Sequence, residues 1–155
     1  MKKLGPGGHK KIRIFTIGFT GKTARLFFTK LKEAGVETII DVRLNNKSQL
    51  AGFTKKQDLE YFLSEIARIR YIHKPNLAPA KDILDGYRKK EIDWVGYEQR
   101  FKNLLVERDI KNNINPAEFD NACILCSEEN PDKCHRRLLA EYLRDIWGNV
   151  VITHL

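Results

Sequence analysis

Between Ile12 and Val42 the chain sets out a strand, a glycine-bearing turn, an amphipathic helix and a second strand, an order that few folds accommodate. Ile12 to Ile17 (IRIFTI) is rich in β-branched and aromatic residues and stops at Gly18. Ala24, Phe27, Phe28, Leu31 and Ala34 then recur at helical spacing, Thr20 or Gly21 offers a cap, and Gly35 offers a stop. Val36 to Val42 (VETIIDV) returns to strand composition. This is a βαβ unit, whose two strands are expected parallel and joined right-handedly.

The alternation continues downstream. Leu44 to Phe53 is polar and aperiodic, a loop after the carboxyl end of the second strand. Lys55 to Ile69 reads as a helix built on Leu59, Phe62, Leu63 and Ile66, and Arg70 to His73 as a short third strand. Ala80 to Lys90 is helical but weakly patterned. Asp93 is the expected cap of a helix reaching Glu107, apolar at Trp94, Tyr97, Phe101, Leu104 and Leu105. Pro116 opens a short turn, and Asn121 to Cys126 is the expected central buried strand. Pro131 is expected to start a helix that runs to Trp147 and stops at Gly148, before a last strand from Val150 to His154. The predicted fold is α/β, a single-domain three-layer α/β/α sandwich with a mainly parallel, Rossmann-like sheet. It occupies residues 12–155, a length that supports a core without staples, and residues 1–11 (MKKLGPGGHKK) are expected as a flexible basic arm.

The formal charge of +8 favours phosphate-bearing small molecules or nucleic acid as partners, although a merely solvated basic surface gives the same figure. No apolar run is long enough for a membrane span and the N-terminus lacks a signal-peptide pattern. Three cysteines, an odd number, suit a reducing compartment, so a cytoplasmic location is expected.

The turn after the first strand, TIGFTGKT from Thr16 to Thr23, imitates a phosphate loop. A Walker A loop requires G-x-x-x-x-G-K-[ST], and here only Phe19 and Thr20 separate Gly18 from Gly21, so the ring of N–H groups cannot form. A glycine turn into a helix start still suits an anion, and Gly18 and Thr20 are expected on one wall of an anion pocket; the plainer role is making the turn. Asp41 and Arg43 end the second strand on the same side. They form either a buried pair bracing the next loop or, through Arg43, an oxyanion or phosphate clamp. Ser48 in that loop and His73 after the third strand fall at the same sheet edge, where open parallel sheets bind ligands. Trp94, Tyr97 and Phe101 read as core in preference to a base-stacking platform, and His154 as surface.

The densest chemistry lies in CILCSEENPDKCHRRLLAEYL, Cys123 to Leu143. Cys123, Cys126, Cys134 and His135 are a zinc-like ligand set, but strand geometry points Cys123 away from Cys126, and on a helix the neighbours Cys134 and His135 diverge. At a helix start, Cys134 is a candidate thiol of depressed pKa, His135 an acid/base, Glu128 its carboxylate partner and Arg136 an anion ligand. Packing and capping are the plainer roles.

TIGFTG, DVRLNNKS, YIHKPNLAP and the Cys126…Cys134-His135-Arg136 stretch occur here in an order that resembles the bacterial and archaeal family known as domain of unknown function 488. The resemblance spans nearly everything after the arm. It departs at Phe19, where a histidine or tyrosine is frequent, and at Asn46, where a proline is usual. It implies a compact α/β fold with polar residues gathered at one face, and no particular reaction or cofactor. The sequence therefore points to an enzyme-like domain with a phosphate-bearing ligand at the carboxyl edge of the sheet, combining Gly18, Thr20, Arg43, Ser48, His73, Glu128, Cys134, His135 and Arg136. The alternatives are a non-catalytic nucleic-acid-binding module, or a metal or redox protein using Cys126, Cys134 and His135.

Overall fold

A computed structural model describes residues 10–47 and 52–155. Ser48 lies outside the described residues, as does most of the expected N-terminal arm. Among the described residues five strands, β1 (Ile12–Gly18), β2 (Thr38–Asp41), β3 (Arg70–His73), β4 (Ala122–Cys126) and β5 (Val150–His154), form one parallel sheet in the order β3-β2-β4-β1-β5. Six helices among the described residues surround it: α1 (Ala24–Ala34), α2 (Lys56–Phe62), α3 (Lys81–Arg88), α4 (Trp94–Glu107), the single-turn α5 (Ile110–Asn113) and α6 (His135–Trp147). The expected α/β sandwich is the fold observed.

β4 is the hinge of the architecture, buried at all five positions. Its alternate residues serve two separate cores. Ala122, Ile124 and Cys126 join Ile14, Ile40 and Val42 under α3 to α6, where Ile83, Phe101, Ile110 and Leu138 close the layer. Cys123 and Leu125 join Phe15, Ile17 and Ile39 under α1 and α2, against Phe27, Leu31, Leu59 and Leu63. Each of these buried aliphatic and aromatic side chains contributes about 1.5–3 kcal/mol of burial free energy. Because β2 sends its chain to α2 on one face and β4 sends its chain to α6 on the other, a crevice opens between their carboxyl ends, the place where such sheets take ligands. Register brings Gly18 level with Cys126, and Asp41 level with both Leu125 and His73.

Several element ends differ from the sequence expectation for local reasons. Thr23, and not Thr20 or Gly21, caps α1, its hydroxyl accepting the Leu26 N–H at 3.1 Å. Asp93 caps α4 as expected, accepting the Gly96 N–H at 2.8 Å. Beyond α2 the chain winds on as a π-turn, Leu63–Ala67, ending at Arg68 with φ +53°. That wider turn breaks the 3.6-residue period, so Leu63 is buried while Ile66 points to solvent. The helix expected from Pro131 begins only at His135, because Cys134 is extended (φ −138°, ψ 140°). His154 is exposed, as expected, and its Nδ1 lies 2.5 Å from the Thr16 hydroxyl across β5 and β1.

Candidate functional site

At the end of β2, Asp41 is fully buried on the α1/α2 side. Arg43 reaches back to it with Nε on Oδ1 at 2.9 Å and Nη2 on Oδ2 at 2.8 Å, and the Arg43 N–H adds a third bond at 3.1 Å. The Tyr71 hydroxyl donates to Oδ2 at 2.5 Å, and Asn46 Nδ2 donates to Tyr71 Oη at 3.0 Å and more weakly to Oδ2 at 3.3 Å. Burial alone would raise the Asp41 pKa; the Arg43 fork and charge and the Tyr71 hydroxyl outweigh it and hold the carboxyl below its ordinary value. The same burial and the Asp41 charge push Tyr71 up. His73 Nε2 donates to the Arg43 carbonyl at 2.9 Å, and the guanidinium sits 5.4 Å from the centroid of the Phe19 ring. Asp41 and Arg43 are thus the bracing pair, with His73 fixing the backbone that follows. Among the described residues, Arg43 Nη1 is a buried donor without a partner.

The glycine turn is occupied by protein. A Cβ on Gly18 would lie 1.5 Å from the Glu128 carbonyl oxygen, so the loop after β4 rests directly on this glycine. The Thr20 N–H donates to the Ser127 carbonyl at 3.1 Å, and the Glu129 carboxylate packs against Gly21, whose φ is +76°. The donors expected for an anion face the 127–129 segment. Arg136 behaves alike. Its guanidinium is buried and donates to the Glu128 carbonyl, to the Glu129 carbonyl at 3.1 Å, to Thr16 Oγ1 at 3.3 Å and to Cys126 Sγ at 3.8 Å. It lies on the α6 face, whereas the Arg43 guanidinium lies on the Phe19 face. The expectation that both arginines clamp one anion, with Gly18 and Thr20 as a wall, is corrected: Arg136, Gly18 and Thr20 do not reach the cleft described next.

That cleft, about 670 Å³, opens between the β2 and β4 ends and α3, α4 and α6. Its floor carries Cys126, Cys134 and His135; Ser127, Glu128 and Lys133 form one rim, and Arg43, Leu44 and Asn45 another. The opposite wall is aromatic. Trp94 and Tyr97 stack at 4.9 Å with 19° between their planes, and Tyr87 meets them edge-on or tilted at 5.7 and 5.2 Å. Lys81 and Arg88 flank this wall, with Asp85 between them at 4.0 and 3.9 Å.

The structure brings Cys134, His135 and Glu128 of the expected set to this cleft; Tyr97 is core, as expected, with Trp94 half-buried against it, and Tyr87, Lys81, Arg88 and Lys133, which carry no sequence signal of their own, line the cleft as well. What signal there is lies in the weak pattern of Ala80 to Lys90, a helix whose second face meets a cleft instead of a core. Phe101 also stays in the core, edge-on to the His135 ring at 5.9 Å.

The extended backbone at Cys134 undoes the objection that Cys134 and His135 diverge. With Cys134 outside the helix and His135 its first residue, both turn toward Cys126 at the β4 terminus. The sulfurs of Cys126 and Cys134 are in bonding contact, and one ring nitrogen of His135 lies within 4.8 Å of both. Cys123 stays in the opposite layer, where burial pushes its thiol pKa up. His135 places Nε2 2.9 Å from the Val42 carbonyl, so Nε2 carries the proton and Nδ1 keeps its lone pair. Burial lowers the His135 pKa to about 4, so the imidazole is neutral at pH 7.

Comparison with known proteins adds a family and nothing more specific. Residues 23–143 match the family described as Domain of unknown function DUF488. No curated protein and no solved structure matches the chain. No helix among the described residues is long and apolar enough to cross a membrane.

Proposed function

The chain belongs to the DUF488 family, and from the form of its cleft we propose that it is an enzyme-like domain taking a phosphate-bearing ligand, a nucleotide or the end of a nucleic acid, at the carboxyl edge of the sheet. The observation that carries this reading is the half-buried Trp94 ring, backed by the buried Tyr97, in a cleft that Arg88 and Lys133 also line. A base stacked on such a ring gains about 1–3 kcal/mol, and rim cations together with first-turn N–H groups of α6 receive phosphate oxygens. Arg43 braces the β2 rim of the cleft through its fork onto Asp41, its guanidinium buried on the Phe19 face. His135, neutral at pH 7, serves as a base or ligand and not as an acid, with the Cys134 sulfur and the Glu128 carboxylate at the same floor and rim. We place the protein in the cytoplasm, on the odd cysteine count.

The reading is tested by tryptophan fluorescence. The chain has two tryptophans, and a Trp147→Phe protein leaves Trp94 as the reporter. Titration with mononucleotides and short oligonucleotides should quench it by ring stacking, while sugar phosphates bind without quenching. Absence of any quenching up to millimolar nucleotide would refute the stacking site.

A further inference from the structure

The geometry points to a mononuclear transition-metal site on the floor of the cleft, held by the thiolates of Cys126 and Cys134 and by Nδ1 of His135, with zinc as the fitting ion. This goes beyond the proposed ligand and stands whether or not a phosphate compound binds. Three observations support it independently. First, the two sulfurs and one ring nitrogen of His135 converge within 4.8 Å although two of the residues are adjacent, because the extended Cys134 and the first helical residue His135 present their side chains to the same point. Second, the Nε2–H bond to the Val42 carbonyl fixes the ring and the tautomer, the outer-sphere support that metal-binding histidines ordinarily have. Third, the Cα atoms of Cys126 and Cys134 are 7.8 Å apart. Disulfides usually span Cα separations of about 4.4–6.8 Å. Two thiolates on one tetrahedral zinc, with Zn–S near 2.3 Å, keep their sulfurs roughly 3.8 Å apart, which suits the wider spacing.

The donor set decides the metal class. Two sulfurs and an imidazole select zinc-like ions over magnesium or calcium, which need oxygen. Three protein ligands leave a fourth position open, and all three residues line the cleft, so that position faces the ligand space. Cys123 is excluded by its place in the other layer.

Loading requires the dithiol. A phosphine reductant cleaves the sulfur–sulfur bond and becomes the phosphine oxide, water supplying its oxygen and both thiol protons. Metal binding then replaces two S–H bonds by two metal–sulfur bonds and releases two protons to the buffer. The test uses full-length, tag-free, phosphine-reduced protein titrated with Co²⁺ and then Zn²⁺. The expected result is about one Co²⁺ per chain with a thiolate-to-cobalt charge-transfer band and tetrahedral visible bands, bleached by zinc. Cys126→Ser and Cys134→Ser should each lose charge-transfer intensity, and Cys123→Ala should keep it. Should the serine variants fail to fold, zinc protection of the wild-type thiols against a thiol reagent supplies the same answer. Reduced, folded wild type that takes up neither ion, or a cobalt band that persists undiminished in Cys126→Ser, would overturn the site.

Discussion

Arg43 forks onto Asp41, Nε to Oδ1 at 2.9 Å and Nη2 to Oδ2 at 2.8 Å, with both side chains almost entirely out of water. The pair fastens the chain at the point where β2 becomes one rim of the cleft. Removing one partner leaves the other charge buried, a change that costs about 3–5 kcal/mol. Asp41→Asn and Arg43→Met should each lower the unfolding midpoint by on the order of 10 °C, measured by calorimetry. Tyr71→Phe, which deletes one donor to the same carboxylate, should cost only about 1–2 kcal/mol.

The same pair sets a pH dependence. Folded Asp41 titrates below its unfolded value of about 3.9, so between the two values the unfolded chain holds a proton that the native chain lacks. Its contribution to stability is therefore present above the unfolded value and lost as pH falls through the folded one. The midpoint gap between wild type and Asp41→Asn should be constant near neutral pH and close on acidification below about pH 4. A gap that stays constant into strong acid would show that the Asp41 charge contributes nothing.

Gly18→Ala tests the seat of the β4 loop. The new methyl would meet the Glu128 carbonyl oxygen, a backbone atom that cannot swing aside. Overpacking of this sort costs about 1–3 kcal/mol or more, and here it also displaces the Glu128 rim. Gly21→Ala, strained mainly by its φ of +76°, should cost about 1–2 kcal/mol and leave the cleft in place.

Arg136 is predicted to be a structural residue. It spans Thr16, Cys126 and the carbonyls of Glu128 and Glu129, and charged hydrogen bonds of this kind contribute about 1.5–3 kcal/mol each. Arg136→Lys should destabilise the fold in urea titrations by several kcal/mol, since an ammonium cannot reproduce the fork. An unchanged midpoint would refute this role.

The fold was legible because its signals are local. Period-3.6 apolar spacing in α1, the Asp93 cap and the apolar run Ala122 to Cys126 each act over a few residues, and Asp41 and Arg43 share a face because strand periodicity is two. What escaped depends on distant partners or on one backbone angle. Tyr71 meets Asp41 only through the β2–β3 register, Asn46 only because the loop after β2 folds back onto that carboxylate, and the π-turn at Leu63–Ala67 alters the helical period without any sequence mark. The convergence of Cys134 and His135 hangs on the extended conformation of Cys134, which a helix start at Pro131 conceals. Arg136 looked like a ligand group because its backbone acceptors, Glu128 and Glu129, lie in an irregular turn.

A phosphate-bearing aromatic ligand in the cleft between the β2 and β4 ends, as proposed above, is best sought by thermal unfolding against a panel of nucleotides, sugar phosphates and short oligonucleotides. A ligand at 100 times its dissociation constant adds about 2.7 kcal/mol, which for a domain of this size raises the midpoint by roughly 5–10 °C. Such a shift is expected with a nucleotide or oligonucleotide, lost in Trp94→Ala and markedly reduced in Lys133→Glu. A panel without any shift, or a shift that both variants retain in full, would contradict the proposal.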